Sequence, residues 1–305
     1  MSLHFKPLTL SAIQQLQPLL QQQNDRFCDW TVGAAYMWRD FFQNQYAIAA
    51  DSVLFRSQGL DEQIYFSYPL GTDNVAPALA LLEEHCATTG ESLQFSTVSP
   101  DNTQQLLARY GRATVQPQRN FYDYLYFYDD LATFAGRRYS RQRNHIHQFT
   151  KKWPNWAYHN FTEKDIPAVR NFLDTMQQLK EANDPLSAME QADFLACRES
   201  LEIFPALSMQ GGFITVDGQI VAFSAGESVG DTLYVHIEKG DVRYGGVYQL
   251  MVREFAAHQA HPTLKYINRE DDTGDEGLRR SKLSYRPCAL LEKNIVIPHT
   301  TERSI

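Results

Sequence analysis

The sequence has few cysteines, and their spacing does not indicate a disulfide framework or a metal site. The four cysteines stand far apart and form no CxxC pair: Cys28, Cys86, Cys197 and Cys288. Closely spaced thiols would be needed for a zinc site, and small secreted domains pair their cysteines. We therefore expect four reduced thiols in a cytoplasmic protein, and no bound metal.

Long apolar runs and familiar catalytic motifs are also missing. No apolar stretch approaches the ~18 residues that a membrane span needs. The first ten residues lack the basic segment and apolar core of a signal peptide, so we expect neither a signal peptide nor a transmembrane segment. GxSxG, P-loop, HExxH and GxGxxG patterns do not occur, which excludes the enzyme classes that these motifs mark.

Basic residues are outnumbered, with 28 Lys and Arg against 36 Asp and Glu and a net charge of -8. This balance argues against broad nucleic-acid binding, which depends on phosphate neutralisation. Gly136–Trp153 is the exception, because it has no acidic residue. Its basic residues are candidates to face tRNA: Arg137, Arg138, Arg141, Arg143, Lys151 and Lys152. The alternative is a solvated linker helix.

A chain of 305 residues is long enough for two domains of about 150 residues. Its second half alternates apolar runs of strand and helix periodicity, and Asp217-Gly218 predicts a hairpin. The main predicted elements are strand Trp156–Phe161, helix Met189–Ile203, strand Asp231–Glu238, helix Gly246–His258, strand Leu264–Asn268 and strand Ala289–Ile297. The order β-α-α-β-β-β-α-β-α-β resembles the GNAT acyltransferase fold.

The first half repeats this order with weaker patterns and ends in a predicted strand, Phe121–Phe127. Ile64–Gly71 aligns with Leu233–Gly240, and Leu93–Asn102 aligns with Leu264–Thr273. We predict an α+β protein of two tandem GNAT-like domains, 1–131 and 132–305, each a mixed, mostly antiparallel sheet flanked by helices. The second would begin with the basic linker helix 136–153. Two unrelated α/β domains are the alternative.

Strand Asp231–Glu238 carries the best candidate catalytic groups. Alternation places Tyr234, His236 and Glu238 on one face. A carboxylate or imidazole among aromatic residues is suited to act as a general base, so we predict Glu238 or His236 in that role and Tyr234 beside the substrate. Alternatively, Glu238 pairs with Lys239 or Arg243 at the end of the sheet.

The segment Tyr266–Pro287 follows a central strand, where open α/β sheets bind ligands. Its candidate substrate-binding residues are Asn268, Arg269, Arg279 and Lys282. Arg279 and Lys282 are three residues apart on a predicted helix, so they share a face and suit an anion. Tyr285 could protonate a leaving group, although a core position is the alternative.

Two glycines precede the helix that follows strand Asp231–Glu238. Gly245 and Gly246 leave backbone N–H groups and the positive end of the helix dipole available. Together with Arg243, they predict a site for an anionic donor group. Glycine pairs also form ordinary turns, which is the alternative.

These residues carry a resemblance that extends over essentially the whole chain. The matching segments are Trp30 with Trp38, Tyr68–Gly71, Arg143–Phe149, His236–Asp241, Gly245–Ala256 and Tyr266–Pro287. They resemble the bacterial family related to the C-terminal domain of phosphatidylglycerol lysyltransferase. The resemblance implies two tandem GNAT-like domains similar to the Fem-type aminoacyltransferases. It also implies transfer of an aminoacyl group from aminoacyl-tRNA to a lipid hydroxyl at a membrane surface or to an amine.

Two departures from the family and fold patterns keep other functions open. Lysyltransferases of this kind carry a large membrane domain that has no counterpart in the sequence. The acyl-CoA loop of GNAT enzymes, (Q/R)-x-x-G-x-(G/A), is matched at Arg243 and Gly246, but Tyr248 replaces the small residue. We therefore expect an acyl- or aminoacyltransferase with aminoacyl-tRNA or acyl-CoA as donor. An acetyl-CoA-dependent N-acetyltransferase and a non-catalytic GNAT-like binding module are the alternatives.

Overall fold

A computed structural model describes residues 3–22 and 25–299 and shows two compact units. One unit contains the described residues up to Asp123, together with Asp271–Asp275 and those from Leu290 onward. The other contains Tyr124–Glu270 and Glu276–Ala289. Each unit has a mixed sheet of seven strands with flanking helices, which confirms the predicted fold class.

The helices and strands are numbered in chain order. Up to residue 122 they are β1 (Lys6–Pro7), α1 (Leu10–Leu20), α2 (Val32–Met37), β2 (Gln45–Ala49), β3 (Ser52–Gln58), β4 (Ile64–Phe66), α3 (Ala76–Thr89), β5 (Phe95–Val98), α4 (Pro100–Tyr110) and β6 (Ala113–Pro117). From residue 123 they are β7 (Asp123–Phe127), α5 (Tyr128–Thr133), α6 (Ser140–Lys152), β8 (Trp156–Asn160), α7 (Ile166–Glu181), α8 (Ala188–Glu202), β9 (Gln210–Val216), β10 (Gln219–Val229), β11 (Thr232–Gly240), α9 (Val247–His258), β12 (Tyr266–Asn268), α10 (Glu276–Ser284), β13 (Ala289–Leu291) and β14 (Asn294–Pro298).

The first sheet has the strand order β1-β2-β3-β4-β5-β14-β6. Its strands pair antiparallel except for β4 and β5, which are parallel and pair at Phe66 and Phe95. Both phenylalanines are fully buried in the core that the sheet shares with α3 and α4.

The second sheet has the order β13-β7-β12-β11-β10-β9-β8. Here β11 and β12 form the parallel pair. The predicted hairpin joins β9 to β10, and both turn residues have positive φ, 49° at Asp217 and 79° at Gly218. Those angles match the twist of the flanking strands. Both sheets thus place a parallel pair after an antiparallel meander, as a duplicated fold requires.

The two sheets exchange strands, which differs from the prediction. We expected Phe121–Phe127 to complete the first sheet, but β7 pairs with β12 in the second. We expected one last strand over Ala289–Ile297, but it is divided into β13 in the second sheet and β14 in the first. The compact units are therefore not continuous in sequence, and the boundary at residue 131 remains a prediction for the duplicated segments.

The segment between the halves forms a helix, as predicted: α6 follows a short 3-10 turn over Arg137–Tyr139. It buries Gln142, Ile146 and Phe149 on one face. Among residues 3–22 and 25–299, no helix has the length and apolar character needed to cross a membrane.

Candidate active site at the opening between β11 and β12

An opening forms in the second sheet because its two parallel strands pair over only three residues. The pairs are Thr232 with Tyr266, Leu233 with Ile267, and Tyr234 with Asn268. Beyond Tyr234, β11 continues to Gly240, whereas β12 ends. The opening therefore lies at the carboxyl ends of two parallel strands, where α/β sheets bind ligands.

A bulge in β11 changes the predicted alternation of side chains. Ile237 pairs with Ala225 and Val235 with Gly226, so His236 is an extra residue without a register partner. A Cβ at Gly226 would collide with the carbonyl oxygen of Tyr234, so glycine permits this close approach.

Glu238 consequently lies on a different face from the one predicted. It lines a small cavity with Leu233 and Val235 and contacts Arg269, whereas His236 contacts Glu227 and Glu270. The expectation that Tyr234, His236 and Glu238 share one face was wrong, because the bulge interrupts the two-residue period.

His236 is held between two carboxylates in a fully buried environment. Its Nδ1 lies 2.7 Å from Glu270 Oε1, and its Nε2 lies 3.0 Å from Glu227 Oε1. Burial alone would lower the pKa of the imidazole, but the hydrogen bonds to Glu227 and Glu270 raise it to about 9. At neutral pH the ring is a cation that donates from both nitrogens. This state suits a positioning residue rather than the general base that we predicted as one option.

Glu238 and Arg269 form a third ion pair at the opening. Arg269 Nη2 donates to Glu238 Oε1 at 2.8 Å, and the two side chains are 10% and 15% exposed, respectively. The guanidinium lies 4.6 Å from the ring centre of Tyr285. Arg269 Nη1 is buried and has no hydrogen-bond partner among the described residues.

The alternative pairing expected for Glu238 is not formed. Lys239 instead pairs with Asp193, and Arg243 Nη2 lies 2.6 Å from Asp241. Glu238 therefore remains with Arg269 at the opening.

Tyr285 lies beneath Arg269 and is 1% exposed. Burial raises the pKa of its hydroxyl well above the ordinary value, and Arg269 offsets only part of that rise. A buried hydroxyl that is a weaker acid than usual is poorly suited to protonate a leaving group. The position of Tyr285 against the guanidinium instead favours a role in holding Arg269.

Two of the predicted substrate-binding residues, Lys282 and Asn268, hold the loop that follows β12. Lys282 is buried, and its Nζ donates to the backbone oxygen of Arg269 at 2.6 Å. Asn268 is fully buried and accepts a hydrogen bond from the Glu270 N–H at 2.7 Å. Tyr234 is stacked near His236. Arg279 lies half-buried on α10, three residues from Lys282.

Gly245 and Gly246, which we predicted to form a donor site, directly precede α9. Gly246 has a φ of 95°, and a Cβ there would lie 2.5 Å from the backbone oxygen of His145, so close packing against α6 requires glycine. A Cβ at Gly245 would meet nothing within 4 Å. Of the two glycines, Gly245 alone therefore borders open space.

The basic residues around α6 are all exposed. Arg138 is paired with Asp130, and Arg143 donates to the backbone oxygens of Phe134 and Gly136. Arg141 and Lys152 lie about three helical turns apart and share a side of α6. Lys151 extends this basic surface towards the face opposite the buried one.

Sequence patterns did not single out Glu227 or Glu270, the two partners of His236. Glu227 had a recognisable signal, because it is an acidic residue in the otherwise apolar and small-residue run of β10. A buried acid in a central strand needs a partner, which could have pointed to His236.

A second buried charged cluster lies in the other unit. Lys293 Nζ is 2.5 Å from Asp29 Oδ2, 2.7 Å from Asp123 Oδ1 and 3.9 Å from Cys28 Sγ. Cys28, Asp29 and Asp123 are close enough to surround a metal ion. The ammonium of Lys293 instead compensates their charge.

The two duplicated sheets, each with a parallel pair, define a tandem GNAT-like protein. The model of the phosphatidylglycerol lysyltransferase C-terminal family matches residues 21–296, so the chain belongs to that family. A curated relative, an uncharacterized protein of Mycoplasmoides gallisepticum, is 26% identical over 183 residues. That match covers 57% of this chain and only 55% of the relative.

Solved structures agree with this fold. A conserved protein of unknown function from Bacteroides thetaiotaomicron VPI-5482 is 29% identical with a TM-score of 0.91, over 97% of this chain and 100% of that chain. L-PGS from Bacillus licheniformis is 10% identical with a TM-score of 0.63, over 95% and 93%. FemX is 9% identical with a TM-score of 0.63, over 96% and 97%. The last two similarities concern the fold alone.

Proposed function

We propose that the chain is an acyltransferase that moves an aminoacyl group from aminoacyl-tRNA to a lipid hydroxyl or an amine. The observation that carries this proposal is the Glu238–Arg269 pair at the opening between β11 and β12. Membership of the lysyltransferase family supports the aminoacyl donor, and the relatives L-PGS and FemX share the fold.

The proposed reaction is attack of the acceptor oxygen or nitrogen on the carbonyl carbon of the aminoacyl ester. Glu238 accepts the proton that the acceptor loses, while a new ester or amide bond forms. The ester bond to tRNA breaks, and the terminal ribose oxygen of tRNA leaves as a hydroxyl after it takes this proton from Glu238, which returns to the carboxylate form. Backbone N–H groups of β11 beyond Tyr234, where pairing with β12 ends, would stabilise the developing oxyanion.

Three ion pairs would hold the side chains of this site in position. His236 joins Glu227 on β10 to Glu270 after β12, so it connects the two sides of the opening. Arg269 orients Glu238, and Lys282 fixes the backbone of Arg269. In this proposal His236 and Lys282 are positioning residues.

The donor's tRNA would contact the exposed cations of α6. Arg141, Lys151 and Lys152 are the best candidates, because Arg138 and Arg143 are engaged within the chain. With an overall charge of -8, tRNA contact would be confined to such local surfaces.

A transfer assay with radiolabelled aminoacyl-tRNA tests the proposal directly. Mixed aminoacyl-tRNAs would be incubated with phosphatidylglycerol vesicles or with amine acceptors, and labelled product separated from tRNA. We expect Glu238→Gln to reduce the rate at least 100-fold with little change in tRNA affinity, as for loss of a general base. Glu202→Gln, an exposed carboxylate on α8, is the matched control. If Glu238→Gln and Arg269→Ala leave transfer intact, this site assignment is wrong.

A second candidate, an acetyl-CoA-dependent N-acetyltransferase, is favoured by the open space at Gly245 before α9. Helix N-termini of this kind bind phosphate groups. Coenzyme A at 100 times its Kd would stabilise the fold by about 2.7 kcal/mol, which a thermal shift detects. No shift would argue against this candidate, whereas anion binding without any transfer would indicate a non-catalytic module.

A further inference from the structure

Two half-buried aromatic side chains lie side by side where α6 ends and α9 begins. Trp153 directly follows α6, and Tyr244 lies in the turn between β11 and α9. Their ring centres are 5.0 Å apart, at an interplanar angle of 47°. The fully buried Phe149 packs against Trp153, with ring centres 4.8 Å apart. Trp153 and Tyr244, which we call the aromatic platform, are therefore held by the protein and still partly exposed to solvent.

The two segments that carry the aromatic platform have no exposed negative charge. Residues 136–153 and 242–253 contain no acidic residue. The Lys152 ammonium lies 4.5 Å from the ring centre of Trp153. Asp241 precedes the second segment, and its buried carboxylate is paired with Arg243. Because that pair compensates its own charge, Lys152 supplies the positive charge next to the rings.

Exposed aromatic rings beside a cation suit the binding of unpaired nucleotides. The bases of a single strand stack on aromatic side chains, while cations bind the phosphates between them. In a duplex the bases are already stacked on one another, so they cannot lie on such a surface. The aromatic platform therefore favours single-stranded nucleic acid over a duplex.

The exposed cations of α6 favour a strand of nucleotides over a single cofactor. Arg141 and Lys152 share a side of α6, and at 1.5 Å per residue they lie about 16 Å apart. A polynucleotide backbone can follow this distance, whereas the pyrophosphate of coenzyme A can contact only one end of it. The adenine of coenzyme A could stack on the same rings, so the test includes this cofactor.

We propose that the aromatic platform binds the unpaired nucleotides at the 3′ end of the donor tRNA, with their bases on Trp153 and Tyr244 and a phosphate on Lys152. The inference rests on the proposed transferase function and adds to it the surface that holds the single-stranded end of the donor. It gives a role to two aromatic side chains that remain partly exposed next to the open space at Gly245.

Short RNA probes test this inference without an acceptor. The probes are the single-stranded tetranucleotide ACCA, a blunt-ended RNA duplex and coenzyme A, each titrated by calorimetry. We expect Tyr244→Leu to weaken ACCA binding by about fivefold or more, because it removes one stacking surface. Tyr244→Phe should retain the wild-type affinity, because it keeps the ring. Phe127→Leu is the matched control, since that ring is 50% exposed on β7, outside the aromatic platform, and its loss should not affect binding.

The dependence on salt distinguishes stacking from charge. Tyr244→Leu removes no cation, so it should lower ACCA affinity by the same factor at every salt concentration. Lys152→Ala should instead reduce the slope of log K against log salt concentration by about 0.7. ACCA should also change the tryptophan fluorescence of the wild type, and Trp153→Phe should abolish that change. Thermal melts would verify that each variant folds.

The outcomes separate this inference from the proposed function. If aminoacyl-tRNA is a donor but Tyr244→Leu leaves ACCA binding unchanged, the function stands and only the inference fails. If ACCA binds with the expected dependence on Tyr244 but no aminoacyl-tRNA is a donor, the RNA surface stands and the proposed function fails. Binding of coenzyme A at these rings without binding of ACCA would overturn the inference and support the N-acetyltransferase candidate.

Discussion

The ammonium of Lys293 lies 2.7 Å from the carboxylate of Asp123, and both side chains are almost completely buried. Asp123 begins β7 and Lys293 directly precedes β14, the two strands that the sheets exchange. Burial opposes the charge of Lys293, but Asp123 and Asp29 hold its pKa well above the ordinary value. The ion pair therefore links the first residue of β7 to the residue before β14, the two strands that the sheets exchange.

Lys293→Met is therefore expected to destabilise the fold by about 3–5 kcal/mol, because it leaves Asp29 and Asp123 buried without a cation. Urea denaturation would measure the loss. Lys265→Met is a suitable control, since that side chain is 72% exposed and lies 3.8 Å from Asp231. The control should change stability by less than about 1 kcal/mol. A double variant, Lys293→Met with Asp123→Asn, should recover part of the lost stability. If Lys293→Met is as stable as the wild type, the pair does not have the assigned role.

His236 should make the stability depend on pH at alkaline values. Its pKa is about 9 in the folded chain and about 6.5 when unfolded. A raised folded pKa means that the stabilisation is complete below the unfolded pKa and is lost as pH rises through 9. The loss should be roughly 3 kcal/mol, from the difference between the two pKa values.

Urea unfolding at pH 6, 7.5 and 9.5 would measure this effect, and NMR titration of the ring would assign it. His236→Gln should be less stable at pH 6 and should lack most of the decline between pH 6.5 and 9. If the decline persists unchanged in His236→Gln, another group causes it.

Most of the order of helices and strands was predicted from the sequence, but β6, α5 and the exchange of strands were not. Asp123–Phe127 and Asn294–Pro298 are both short, mainly apolar strands at the ends of duplicated segments. Their composition is compatible with either sheet, and only tertiary pairing decides between them. The Lys293 cluster could not be predicted from the sequence for a related reason, because Cys28 and Lys293 are separated by 265 positions.

The sequence predicts the strands that carry the candidate site residues, but not the arrangement of the side chains on β11. Tyr234, His236 and Glu238 alternate perfectly in the sequence, and nothing local reveals the extra residue opposite Gly226. That bulge separates an imidazolium held by two acids from a carboxylate held by Arg269. Sequence periodicity alone therefore could not assign distinct roles to these residues.

Two serines of the same unit, one buried and one at a helix N-cap, should affect stability in opposite directions when they are replaced by alanine. Ser224 is fully buried, and its hydroxyl has no partner among the described residues. Ser224→Ala should leave stability unchanged or raise it by up to about 1 kcal/mol, since it removes an unsatisfied polar group. Ser187 caps α8, where its Oγ accepts from the Glu190 N–H at 3.3 Å.

Ser187→Ala should therefore cost about 1 kcal/mol. Chemical denaturation of both variants in parallel would measure the difference. A loss of more than about 1 kcal/mol in Ser224→Ala would show that its hydroxyl does have a partner in solution.

Alanine substitutions at the two adjacent glycines before α9 should distinguish an effect on packing from an effect on ligand binding. Gly246→Ala combines a positive φ of 95° with a Cβ placed 2.5 Å from the His145 oxygen, so it should destabilise the fold by more than about 1 kcal/mol. Gly245→Ala meets nothing within 4 Å and should change stability by less than about 0.5 kcal/mol. Thermal melts of the two variants provide the measurement.

The same two glycine variants also test the predicted anion site. If phosphate groups of the donor approach the backbone at Gly245, Gly245→Ala should weaken donor binding while stability is retained. Unchanged binding in Gly245→Ala would exclude a backbone site at this position.

The exposed cations of α6 should determine how tRNA affinity depends on salt. Arg141, Lys151 and Lys152 lie on its solvent side, and the ammonium of Lys152 also lies 4.5 Å from the ring centre of Trp153. Replacing all three by alanine should weaken tRNA binding and reduce the slope of log K against log salt concentration by about 2–3, because each phosphate contact contributes roughly 0.7–0.9. Filter binding at several salt concentrations would measure the slope. Lys164→Ala, an exposed lysine outside α6, should leave it unchanged. Equal slopes in wild type and triple variant would mean that α6 is only a solvated connecting helix.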